Sequence, residues 1–109
     1  MKKLKFKKEL SELILEGEKT STWRLFDDKD LRVGDKLEFL ISESLEKFAL
    51  AEITEVLEKT FRDLRDNDWA GHEKYESEEE MFRAYSEYYE EEVNSLTKLK
   101  IIKFKIINE

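Results

Sequence analysis

The sequence predicts an α+β domain in which short strands curl into a barrel and two helices flank them. Three observations carry this. Residues 3–6 and 99–107, near the two ends of the chain, are rich in strand-favouring side chains. Between them, residues 10–14 and 77–89 repeat apolar side chains at helical spacing. The 109 residues are 39% hydrophobic, with seven Phe, four Tyr and two Trp, enough to fill one modest core but not two domains. A chain this aromatic is expected to fold, and residues 1–109 are read as a single domain.

Each element has its own signal. In Lys3-Leu4-Lys5-Phe6-Lys7 charged and apolar residues alternate, the pattern of a half-buried strand. Leu10, Leu13 and Ile14 share one helical face, and Gly17 supplies the left-handed residue common just past a helix end. Residues 20–26 are β-branched and aromatic and read as a strand. Asp27-Asp28-Lys29-Asp30 is a polar loop, and Gly34-Asp35 turns the chain into a strand at Lys36–Ile41. Residues 48–57 form the next strand, with Ala49, Ala51 and Ile53 facing the core and Val56 out of phase, the mark of an irregularity. Polar and aromatic residues 61–75 suggest short helical turns and loop. Ser77 and Glu80 form a capping box that opens a second helix, whose apolar stripe is Met81, Phe82, Tyr85, Tyr88 and Tyr89. In the closing strand the parity slips between Ile101 and Ile102, which implies a bulge or burial on both faces.

Charge narrows the function. Twenty-seven acidic residues against twenty basic ones give a formal −7, which disfavours non-specific binding to a polyanion. The balance is uneven, however: residues 1–8 hold five lysines and residues 73–92 hold nine glutamates. The lysine cluster either contacts phosphate or protects an edge strand, and edge protection is the simpler reading. No stretch is long and apolar enough to span a membrane, and no signal-peptide pattern is present, so a cytoplasmic location without a membrane partner is expected. With no cysteine and one histidine, neither a metal nor another cofactor is expected.

The segment Gly17-Glu18-Lys19-Thr20-Ser21-Thr22-Trp23-Arg24 sits where a helix hands over to a strand. Gly17 lets the backbone turn, so Lys19 can point with Thr22 into one cleft. On the strand, Thr20, Thr22 and Arg24 share a face by the period of two, with Ser21 and Trp23 on the other. An ammonium, a hydroxyl and a guanidinium can thus converge on an anion or a carbonyl. On spacing alone, a strand edge with solvated charges and a β-favouring threonine explains the pattern better.

The octet, followed by residues 25–30 and by Gly34-Asp35-Lys36-Leu37, resembles the ASCH domain. Residues 68–75, Glu79-Glu80-Met81 through Tyr88-Tyr89, and Lys100-Ile101-Ile102-Lys103-Phe104 are similar to its helical insertion and closing strand, so the resemblance covers nearly the whole chain. It implies a PUA-like fold with a cleft for nucleosides or RNA. Small bacterial members are amidohydrolases that deacetylate N4-acetylcytidine with a lysine, a threonine and a glutamate. The resemblance places the first two at Lys19 and Thr22, with Arg24 completing the motif. It places the acid best at Glu73, leaving Glu76 and Glu78 open. In that chemistry Thr22 attacks once a base takes its proton, Lys19 serves as base if burial lowers its pKa, Glu73 orients Lys19 or protonates the leaving amine, and Arg24 holds an oxyanion or a phosphate.

Two readings follow from different classes. One is an amidohydrolase acting on an N4-acetylcytidine-like nucleoside, in which Gly17, Arg24, Trp23 and Trp69 help to bind substrate. The other is a non-catalytic RNA- or nucleotide-binding module in which Lys19 and Arg24 contact phosphate and a tryptophan stacks a base. RNA cleavage is a third, for which only His72 or Lys19 offers a base. Core packing is the simpler role for Trp23, whereas packing and stacking are even for Trp69. His72 is expected at the surface. The expected ligand is a nucleoside or RNA, and the expected state a monomer or weak dimer.

Overall fold

The computed structural model describes residues 1–26 and 29–107, so the Asp27-Asp28 half of the expected polar loop lies outside the described residues. Strand β1 (Lys2–Phe6) leads into helix α1 (Lys8–Leu15), followed by β2 (Ser21–Arg24), β3 (Lys36–Ile41) and the long β4 (Lys47–Thr60). Two short 3-10 turns, Phe61–Asp63 and Asp66–Trp69, precede helix α2 (Glu78–Tyr89), and β5 (Lys98–Ile107) closes the sheet.

The five strands lie in the order β1-β3-β4-β5-β2. β1 pairs with β3 in parallel, and the other neighbours are antiparallel. The β4–β5 register shifts between Ile53 and Glu55, a β-bulge where Val56 falls out of phase. The sheet curls so far that its two edges approach, yet among the described residues no ladder joins β1 to β2. The Arg24 side chain crosses the seam: it donates from Nη2 to the Lys5 carbonyl at 3.1 Å, its guanidinium 5.0 Å from the centre of the Phe6 ring. The architecture is therefore α+β with a half-barrel rather than a closed ring.

Two clusters of buried side chains lie on the two faces of the sheet's later strands. Leu4, Phe6, Ile14, Leu37, Phe39, Ala51, Ile53, Ile102 and Phe104 belong to one. Trp23, Leu25, Phe61, Met81, Tyr85, Leu99 and Ile101 belong to the other, which α2 covers. The parity slip in β5 is thus burial on both faces: Ile101 and Ile102 are both fully buried, one in each cluster.

Several elements differ in extent from the sequence pattern. β2 spans only four residues because Phe26, with φ of 51°, turns the backbone out of the extended conformation. β4 runs from residue 47 to 60, longer than expected, because β5 pairs with it as far as Thr60. In α2 the Ser77 hydroxyl accepts from the Glu80 N–H at 3.1 Å, while Tyr88 is exposed rather than part of the core.

Candidate functional site

The handover from α1 to β2 is built by the end of the helix. Gly17 adopts φ of 82°, its N–H reaches the Ile14 carbonyl at 3.1 Å, and the Glu18 N–H reaches the Leu13 carbonyl at 2.9 Å. This double bond pattern is the Schellman motif, and the left-handed residue it needs is most easily a glycine. The Lys19 N–H also bonds to Leu13, at 3.1 Å, so Lys19 leaves the turn with a fixed backbone. Its side chain then runs inward and is almost fully buried.

A second segment is clamped on the outer edge of β2. The Gly71 carbonyl accepts from the N–H groups of Thr20 at 2.8 Å and Ser21 at 3.1 Å, which occupies part of that edge. Gly71 is required twice over: its φ is 76°, and a Cβ there would collide with the Thr20 side chain. Upstream, buried Asp68 anchors the same segment, accepting from Lys59 Nζ and the Arg65 N–H, each at 2.8 Å. These contacts deliver His72 and Glu73 beside Lys19.

Lys19 Nζ and Glu73 Oε2 meet at 2.5 Å, with the lysine side chain 2% exposed and the carboxylate side chain 27% exposed. Burial lowers the Lys19 pKa; the charge and hydrogen bond of Glu73 oppose this and Arg24 adds to it, so the net value lies below that of an ordinary lysine. For Glu73 burial pushes upward, but the positive charges of His72, when protonated, and of Lys19, with the Lys19 hydrogen bond, bring the carboxyl below its usual value. Glu76 and Glu78 are exposed and take no part in this pair.

His72 departs from expectation. It is buried, not at the surface, and its ring stacks on Trp23 with centroids 4.0 Å apart. Burial above all, aided by the charge of Lys19, drops its pKa to about 4, so it is neutral near pH 7. Its Nδ1 lies 2.7 Å from the Glu73 carbonyl oxygen. A carbonyl only accepts, so the proton sits on Nδ1 and Nε2 carries the lone pair. The sequence offered one signal for this residue: a histidine next to the expected site acid.

A cavity of about 310 Å³ opens at the seam between β1 and β2, under α2. Thr22, Trp23, Arg24, His72 and Glu73 line its floor, and the Thr22 hydroxyl has no hydrogen-bond partner among the described residues. Lys19 does not reach the cavity itself: it lies behind Glu73, which does. Trp23 is buried in the α2-side core, edge-on to Trp69 at 4.6 Å, and its indole N–H has no acceptor among the described residues. Trp69 packs behind Trp23, and neither it nor Gly17 lines the cavity. The site thus combines a desolvated lysine–glutamate pair, a neutral histidine and a free hydroxyl at one wall of a pocket large enough for a small molecule. Among the described residues no three histidine, aspartate or glutamate side chains are grouped to hold a metal, and no helix is long and apolar enough to cross a membrane.

No family model and no curated protein matches the sequence. Solved structures do match in fold. A protein of Enterococcus faecalis aligns with a TM-score of 0.76 and 18% identity over 91% of this chain and 70% of its own. The ASCH domain from Lactobacillus crispatus aligns at 0.66 and 20%, over 88% and 69%. A protein of Pyrococcus furiosus covers 99% of this chain and 98% of its own at 0.68 and 19% identity. The fold is that seen in the ASCH domain structures, an α+β half-barrel with two helices.

Proposed function

We propose that this protein is a small amidohydrolase that removes an acyl group from the exocyclic nitrogen of a nucleobase, with N4-acetylcytidine the type substrate. The observation that carries the reading is the buried Lys19–Glu73 pair closing one end of a cavity in which the Thr22 hydroxyl is unpartnered. A mere phosphate-binding site has no use for a carboxylate turned toward its ligand. Four tyrosines on the cavity lining, Tyr75, Tyr85, Tyr88 and Tyr89, supply flat apolar surface for a base.

In this reading the roles are divided by position. Glu73 faces the cavity and Lys19 does not, so Glu73 is the group that exchanges protons with Thr22 and substrate, while Lys19 holds it ionised and in place. Thr22 Oγ attacks the acyl carbon as its proton passes to Glu73. The carbon–nitrogen bond then breaks as that proton moves to the exocyclic nitrogen, releasing the nucleoside with a free exocyclic amine. Water hydrolyses the acyl-threonine ester, giving the carboxylic acid and restoring the hydroxyl. His72 is a positioning residue: its Nδ1–H fixes the Glu73 backbone.

Incubation with N4-acetylcytidine, followed by the appearance of cytidine, tests the reading. Glu73→Gln should lower turnover by about 10³-fold, and Thr22→Ala should abolish the acyl-enzyme. Full activity in Thr22→Ala would remove the threonine mechanism. Binding of cytidine without any turnover would return the protein to the non-catalytic module.

A further inference from the structure

The two walls of the cavity differ in chemistry. The four tyrosines line the side made by α2 and the segment before it, whereas Lys5, Lys7 and Arg24 line the side made by β1 and β2. A chain of net charge −7 has an excess of carboxylates to offer its cations. Other cations take them: Lys2 pairs with Asp35 at 2.7 Å, Lys59 with Asp68 at 2.8 Å and Arg32 with Asp30 at 2.7 Å. Lys5, Lys7 and Arg24 have no carboxylate within ion-pair distance among the described residues.

Arg24 is the most telling of the three. Its Nη2 is committed to the Lys5 carbonyl, its face covers Phe6, and its buried Nε has no acceptor among the described residues. A half-buried guanidinium held this way has no carboxylate among the described residues to balance it at the seam. Of the two carboxylates on the lining, Glu73 is neutralised from behind by Lys19, leaving exposed Glu9 against three cations. The start of helix α1 adds nothing to this charge, because the Lys8 N–H already donates to the Glu43 carboxylate at 3.3 Å. Edge protection explains a lysine at the rim of a sheet. It does not explain an arginine across the seam with no acid partner.

We infer that the cavity takes a mononucleotide rather than a free nucleoside, with the phosphate held by Lys5, Lys7 and Arg24 and the base laid against the tyrosines. The inference rests on the reading of the pocket as a nucleobase site, and it assigns the N-terminal lysines to the ligand. The phosphate is an anchor and not a reacting group.

Titration calorimetry on the full chain tests this with cytidine 5′-monophosphate, cytidine, inorganic phosphate and a short oligocytidylate, each at low and high salt. The monophosphate should bind about tenfold more tightly than cytidine, and the advantage should shrink with salt. Lys5→Ala/Lys7→Ala, both at exposed positions, should erase that advantage and leave cytidine binding unchanged. Equal binding of the two ligands, or a variant that keeps the preference, overturns the inference. Oligocytidylate binding more tightly than the monophosphate also overturns it, in favour of an RNA chain. Deacylation identical for N4-acetylcytidine and its 5′-monophosphate would sink the phosphate site alone. A monophosphate preference without deacylation would sink the amidohydrolase reading alone.

Discussion

Ile101 and Ile102 are neighbours in β5 and both fully buried, yet they serve different cores. The core on the Ile102 side is aliphatic and phenylalanine-rich. Phe39 lies at its centre with Phe6 and Phe104 at 4.8 and 4.9 Å, and none of its side chains needs a hydrogen bond. The core on the Ile101 side contains Trp23, Tyr85 and Met81 and borders on His72, Lys19 and Glu73. The first needs only volume and pattern to be right. The second must also satisfy charges and donors, and among the described residues it leaves the indole N–H of Trp23 without an acceptor. The buried side chains of the two faces thus differ in what they demand, and the pocket draws on both: Thr22, paired with Ile102, lies on the first face and Trp23, paired with Ile101, on the second.

The largest effect should come from the apolar core. Phe39→Ala removes a ring that is 0% exposed and should destabilise the protein by about 4 kcal/mol. Denaturant unfolding would read this, with Tyr88→Ala at an exposed position as the control, expected within about 0.5 kcal/mol of the parent. A loss at Phe39 no larger than at Tyr88 would contradict the division between the faces. On the other face the effect should depend on charge rather than volume. Glu73→Gln leaves the Lys19 ammonium buried without a counter-ion and should cost about 3 kcal/mol, the low end of the range because the carboxylate is partly exposed. Adding Lys19→Met should recover most of that loss, since no buried charge remains. A double variant as unstable as Glu73→Gln would show that packing, not electrostatics, holds this corner.

The same division explains what could be read from sequence. Periodicity marks apolar elements well: Leu4 and Phe6 in β1, Ala49, Ala51 and Ile53 in β4, and the slip at Ile101–Ile102 each reported where a side chain goes. The Gly17 turn was legible because a left-handed residue after a helical stripe has a narrow range of uses. The seam was not legible, since which strands become edges is decided by pairing between residues far apart in the chain. That is why Arg24 reads as a free strand cation and proves to bridge β1 and β2. Nor does local pattern show that Gly71 docks on Thr20 and Ser21, because a glycine in a polar segment reads as loop. Without that docking nothing in the sequence buries His72, and a lone histidine among polar residues belongs at the surface.

Burial of His72 gives the smallest but most specific test of the contrast. The folded protein binds this proton only below about pH 4, whereas the unfolded chain binds it below its ordinary value of 6.5. Between those values the unfolded state holds more protons, so stability is complete above pH 6.5 and falls as the solution is acidified toward 4. Between pH 6.5 and 5 the loss from this one group should be on the order of 1.5 kcal/mol. Carboxylates contribute little over that interval, because most titrate lower. His72→Phe keeps a ring against Trp23 and removes the titration; its stability should therefore be flatter from pH 6.5 to 5, even if lower at neutral pH through loss of the Glu73 carbonyl contact. Parallel profiles for parent and variant would mean that the imidazole is reached by water and charges freely. In that event the lone pair on Nε2 would not persist through mild acid, and the Glu73 backbone would lose its fixed donor.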